Sequence, residues 1–99
     1  RARVYTIDRS TGAVSVFDSG FAGAYGIEWL ATSSTQFANS LLVAAFDDRV
    51  VSSTQGAGKL AAAYLRNSPV DLALVTGTLY IVTAAGQGNR GRIYKVGGF

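Results

Sequence analysis

The chain has 99 residues, 48% of them hydrophobic and 15% charged, with nine Lys or Arg against six Asp or Glu for a net charge of +3. That length holds one small domain, and that composition excludes a highly charged disordered tail. With no Cys and no His, the chain has no disulfide framework, thiolate chemistry, Ser-His-Asp triad or histidine-ligated metal of its own.

The elements read as short alternating strands in chain order. Residues 3–8 (RVYTID) and 13–18 (AVSVFD) flank the turn Arg9-Ser10-Thr11-Gly12 and form a hairpin. A Gly-rich loop leads to residues 25–31 (YGIEWLA). There Ile27, Trp29 and Ala31 share one face, and Gly26, Glu28 and Leu30 share the other. A polar loop at 32–40 precedes residues 41–46 (LLVAAF), apolar on both faces and so a strand between layers. Asp47-Asp48 turns into 49–54 (RVVSST), followed by 59–66 (KLAAAYLR). This last stretch has good helix formers, but its place in the repeat makes it a strand. Strands at 70–75 (VDLALV) and 78–84 (TLYIVTA) enclose Thr76-Gly77. A Gly-rich loop at 85–91 leads to 92–96 (RIYKV).

An Arg-hydrophobic-hydrophobic string recurs at Arg3-Val4-Tyr5, Arg49-Val50-Val51 and Arg92-Ile93-Tyr94, at spacings of 46 and 43 residues. Ile27 matches Leu72, Leu41 matches Leu79, and Phe17 matches Tyr64, at spacings of 45, 38 and 47. Periods of this length belong to propeller blades or helical arrays. Four strand types a–d, from inner to outer, then run c-d, a-b-c-d, a-b-c. The fold class expected is all-β: about two four-stranded propeller blades plus an extra strand. The chain forms one segment, with blade-like repeats at about 3–48 and 49–91 and a further repeat strand starting in 92–99.

The residues Gly26-Ile27-Glu28-Trp29, Leu41 to Phe46 and Asp48-Arg49-Val50 carry a resemblance. So do Pro69 to Leu74, Leu79-Tyr80-Ile81-Val82 and Gly91-Arg92-Ile93-Tyr94. On them the chain resembles the NHL and SMP-30 (gluconolactonase)-like six-bladed propellers, over most of its length. The lactonase branch implies a divalent metal held by an Asn before the strand-a Gly and an Asp after strand b. Here those positions are Tyr25 and Val70, then Ala45 and Thr83, which do not suit a hard cation. No cofactor is expected, and a divalent metal only if other blades supply it.

Candidate ligand contacts are Tyr25, Glu28, Trp29, Asp47, Asp48, Asp71, Asn89 and Arg90. Trp29 can stack on a sugar while Glu28 accepts its hydroxyls, against packing between blades. Asp47-Asp48-Arg49 can hold a metal or a sugar, or simply cap a β-turn. Asn89 and Arg90 stand in a Gly-rich loop that lacks the helix a phosphate cradle needs. Asp71 alone makes no general acid-base pair. No catalytic residue and no metal ligand is assigned.

The nine basic residues are scattered, with no basic helix face, so nucleic acid is not an expected partner. No apolar run spans a bilayer as a helix, so membrane is not expected either. The compartment stays open without cysteine to indicate it, an extracellular setting being slightly favoured. Starting at Arg1 without Met, the chain reads as a processed, trimmed or excised piece. The expected function is a non-catalytic propeller module for binding or assembly. It would be completed by further blades or by copies of itself, with a glycan or peptide as possible ligand. The alternatives are a segment of a sugar-lactone hydrolase or sugar dehydrogenase-like propeller, and a lectin-like glycan-binding assembly.

Overall fold

The computed structural model describes residues 1–33, 35–85 and 90–99. Every regular element among them is a strand: β1 (Ala2–Ile7), β2 (Val14–Phe21), β3 (Ala24–Leu30), β4 (Ser40–Ala45), β5 (Val50–Thr54), β6 (Leu60–Tyr64), β7 (Pro69–Val75), β8 (Thr78–Thr83) and β9 (Ile93–Val96). All neighbours are antiparallel, in sheets ordered β1-β2, β3-β4-β5-β6 and β7-β8-β9. The all-β reading therefore holds, with each strand within a few residues of its expected place. Residues 59–66 show how context decides. A helix here would gain a few tenths of a kcal/mol per residue from propensity, but β6 instead completes the ladder with β5, through pairs such as Val51↔Ala63.

The turns follow local chemistry. Asp8 Oδ1 accepts the amides of Ser10 at 2.8 Å and Thr11 at 3.1 Å. The Thr11 amide, then that of Ser10, holds the Asp8 carboxyl below its ordinary value. Thr76 and Gly77 both take positive φ (44° and 77°), the geometry of a two-residue hairpin turn.

The three sheets repeat one another in their irregularities as well as in their order. The β3-β4 ladder shifts register between Ala24 and Ile27, and the β7-β8 ladder between Pro69 and Asp71. Anchored there, Ile27 corresponds to Leu72 and Leu41 to Leu79, as the sequence spacing had it. The β1-β2 ladder shifts between Val4 and Tyr5, and the β5-β6 ladder between Val51 and Ser52. Val4 therefore corresponds to Val51, and Arg3 to Val50. Thr83 N–H donates to Arg92 O at 2.9 Å, in the place where Ala45 pairs with Val50. Arg92 thus also corresponds to Val50.

This corrects the phase of the Arg-hydrophobic-hydrophobic string. Arg3 and Arg92 are equivalent, but Arg49 stands one residue early, in the turn, with φ 55°. The matching bulges also pair Phe17 with Ala62 rather than with Tyr64. A one-residue slip reverses the face of every side chain, so the ladder, not the string, defines the repeat.

The middle sheet is covered on both faces. Leu30, Leu42, Ala44 and Val51 pack against Leu72, Leu79 and Ile81 of the third sheet. Leu41 and Val43 point the other way, to Phe21, Val4 and Phe17 of the hairpin. β3 and β7 run side by side, and a Cβ on Gly26 would stand 2.8 Å from the Asp71 Cα. Glycine is needed there for close approach alone, since its φ is not positive.

Asp18 fastens the hairpin to the middle sheet. Its carboxylate accepts the Thr54 hydroxyl at 2.6 Å and pairs with Lys59 Nζ at 3.2 Å, and Lys59 also lies 4.7 Å from the Phe21 ring centroid. Burial raises the Asp18 pKa, but the Thr54 hydroxyl, the Ser19 amide and Lys59 together outweigh it and hold the carboxyl below its ordinary value.

Two outcomes follow. Gly26→Ala must push β3 and β7 apart and costs about 1–3 kcal/mol, the usual scale of overpacking. Gly97→Ala, with nothing within 4 Å and no positive φ, serves as the neutral control, both read by urea midpoint. A depressed native pKa adds stability that is full above the unfolded pKa of about 3.9 and lost as pH falls through the native value. Asp18→Asn is therefore less stable than the parent at neutral pH, and the gap narrows below about pH 4. A gap independent of pH would refute the assignment.

Candidate functional site

β3, β5, β7 and β9 begin at the same end of the sheets where β4, β6 and β8 finish. The connections at that end are cross-tied. Leu65 N–H donates to Arg49 O at 2.8 Å, and Ala84 N–H to Ser68 O at 2.9 Å. Arg92 N–H donates to the Thr83 hydroxyl at 3.0 Å, and that hydroxyl donates to Arg92 O at 3.3 Å. These ties bring three distant arginines together.

Phe46, Arg49, Arg66, Asn67, Ser68, Ala84 and Ala85 line a cleft of about 140 Å³. Arg66 and Asn67 are shared with an adjoining cleft of about 300 Å³, completed by Arg92 and Tyr94. All three arginines are exposed, and among the described residues the only ion pair is Lys59–Asp18. Planar guanidinium groups without a carboxylate partner suit the oxygens of a carboxylate, sulfate or phosphate.

The expectation of scattered basic residues is therefore corrected. Arg49, Arg66 and Arg92 were legible only by noting that each ends or precedes a strand at the same end of the sheets.

Several sequence-derived candidates share this end. Tyr25 is exposed, with its ring centroid 4.9 Å from that of Phe46, a residue of the arginine cleft. Asp47 and Asp48 are exposed in the β4-β5 turn, and Asp47 N–H donates to Ala22 O at 2.9 Å. Asp71 Oδ1 accepts the Leu72 amide at 2.9 Å and caps its own backbone. Arg90 is exposed, two residues before Arg92. Asn89, with the rest of Gly86-Gln87-Gly88-Asn89, lies outside the described residues.

Glu28 and Trp29 do not act together. Cross-strand pairs share a face: Glu28 opposes Leu42, and Trp29 opposes Leu41. Glu28 thus faces the third sheet and Trp29 the hairpin, on opposite faces of β3. Trp29 instead borders an apolar groove of about 160 Å³ with Val4, Tyr5, Phe17 and Ile27. Among the described residues no three Asp, Glu, His or Cys side chains gather as a metal site would require.

Comparisons with protein-family models, with curated proteins and with solved structures find no match for the chain.

Phosphate or sulfate at constant ionic strength should raise the Tm of the parent. Arg49→Gln and Arg66→Gln should each lose most of that rise while keeping the Tm measured in chloride. An equal rise in all three proteins would show a general salt effect and no site.

Proposed function

We propose that the chain is a non-catalytic β-propeller module for binding or assembly, completed by further blades or by copies of itself. The observation that carries this reading is the contact between β3 and β7. Two strands with bulges in the same place lie side by side at Gly26 and Asp71, and their sheets run β3-β4-β5-β6 and β7-β8-β9 from that contact, which supports reading them as blades a-b-c-d and a-b-c. The similarity to NHL and SMP-30-like blades accords with that order.

Its exposed surface also supports the reading. Tyr5, Ile7, Ile27 and Trp29 are 52–67% exposed on one side, and Val75 and Ile93 are 56% and 72% exposed on the other. Such faces mark places for further packing. The arginine cleft gives the binding role a chemistry, an anionic group on a peptide or glycan held at the loop-bearing end. Separation of Glu28 from Trp29 weighs against the lectin-like alternative as first framed. The sugar-lactone hydrolase alternative would require ligands from other blades.

The chain alone, followed by light scattering with an apolar dye such as anilinonaphthalene sulfonate, tests this. It should either assemble or bind the dye strongly. A cooperatively folded monomer that binds no dye would contradict the reading.

A further inference from the structure

The repeat can be used to ask which side chains ought to be buried. On the middle sheet, the positions turned toward the third sheet are Leu30, Leu42, Ala44 and Val51, at 3%, 0%, 0% and 0% exposure. By ladder register their counterparts on the third sheet are Val75, Tyr80, Val82 and Ile93. These stand at 56%, 38%, 40% and 72% exposure. The chemistry of the position is kept and its cover is absent. At the other side of the molecule the reverse holds. Leu72 is 5% exposed beneath the middle sheet, whereas its counterpart Ile27 is 54% exposed. One face seeks what the opposite face offers.

The third-strand position points to the occupant. Residues 3–7 read Arg-Val-Tyr-Thr-Ile and residues 92–96 read Arg-Ile-Tyr-Lys-Val, whereas the equivalent residues 50–54 read Val-Val-Ser-Ser-Thr. β1 therefore carries the residue types that β8 already pairs with in β9. It also carries its own outer strand, β2, which the third sheet lacks.

We infer that two copies of this chain join head to tail, the β1-β2 hairpin of one adding to β7-β8 of the other. β1 takes the place that β9 holds in the single chain, so β9 is displaced and Val4, already packed on its own middle sheet, fills the position that Ile93 leaves exposed. The inference rests on the propeller reading above and names the partner.

The geometry accounts for most of the exposed apolar surface at once. The pairs Tyr5↔Val16 and Ile7↔Val14 lie on one face of the hairpin, the face that corresponds to Tyr94 and Val96. In the joint they turn onto the neighbour's middle sheet, as Tyr94 and Val96 do within the chain. Ile27 and Trp29 then lie under Val75 and Tyr80 of the neighbour, repeating the way Leu30 lies under Leu72. Arg3 replaces Arg92 beside Arg66, so the arginine cleft is kept. The contact joins different surfaces of identical chains, so it propagates from copy to copy, and the propeller reading supplies the rotation that closes it into a ring. Asp71 marks the one tight place. It holds the position of Gly26, where the adjoining inner strand comes within reach of any Cβ.

The absence of cysteine makes a direct test possible. Tyr80 pairs with Lys95, whose counterpart is Thr6, so Tyr80 of one copy should oppose Thr6 of the next. Thr6→Cys and Tyr80→Cys, both at exposed positions, are mixed in equal amounts and oxidised. The expected result is a covalent dimer containing one of each, because opposed strand residues lie within disulfide reach. Alongside, sedimentation of the full chain should show one closed mass. On dilution the emission of Trp29, the sole Trp, should shift to longer wavelength as the ring opens. Asp71→Gly should lower the dissociation constant several-fold. An assembly whose cross-links join only like variants would overturn the head-to-tail joint and leave the propeller reading standing. A monomer that binds apolar dye would overturn self-completion alone, whereas one that binds none would overturn both.

Discussion

Everything in this molecule hangs on how closely β3 and β7 approach. Sheets with ordinary side chains on facing strands pack about 10 Å apart. At Gly26 the absent side chain lets the two inner strands come together locally, while Leu30, Leu42, Leu72 and Ile81 hold the sheets at normal spacing farther out. The arginine cleft lies at one end of the sheets, where Arg49, Arg66 and Arg92 come together.

Among the described residues the middle sheet alone has four strands, and its β4 is buried throughout. It is held from one side by an apolar layer and from the other by a smaller cluster reinforced by Asp18, Thr54 and Lys59. Its own polar atoms are satisfied: Ser53 Oγ donates to Ser40 Oγ at 2.8 Å, and Ser40 Oγ donates to Phe37 O at 2.5 Å. Among the described residues the outer sheets have no comparable second layer, and their outward positions carry exposed apolar residues such as Tyr5, Ile7, Val75 and Ile93.

Strand positions were readable because period-two alternation and turn residues act locally. Asp8, Gly12, Thr76 and Gly77 punctuate the chain where the backbone requires it. Register was less readable. A bulge adds one residue without any composition signal, so three similar strings looked in phase although Arg49 had slipped into a turn with φ 55°. The candidate site was legible in part. Tyr25, Asp47, Asp48 and Arg90 stand exposed at the arginine-bearing end, in loops and polar turns that draw attention in a sequence. Arg66 was missed because it ends a strand read for its alanines. Glu28 and Trp29 fall on opposite faces of β3 for the most elementary reason, since adjacent strand residues face opposite ways.

The central claim is that β3 and β7 lie side by side in close approach at Gly26 and Asp71. Nuclear Overhauser contacts between backbone protons of Gly26 and those of Asp71 and Leu72, in the isotopically labelled chain, test it most directly. The account predicts strong cross-peaks there, together with those of the three separate ladders. Intact ladders with no cross-peak between β3 and β7 would contradict it.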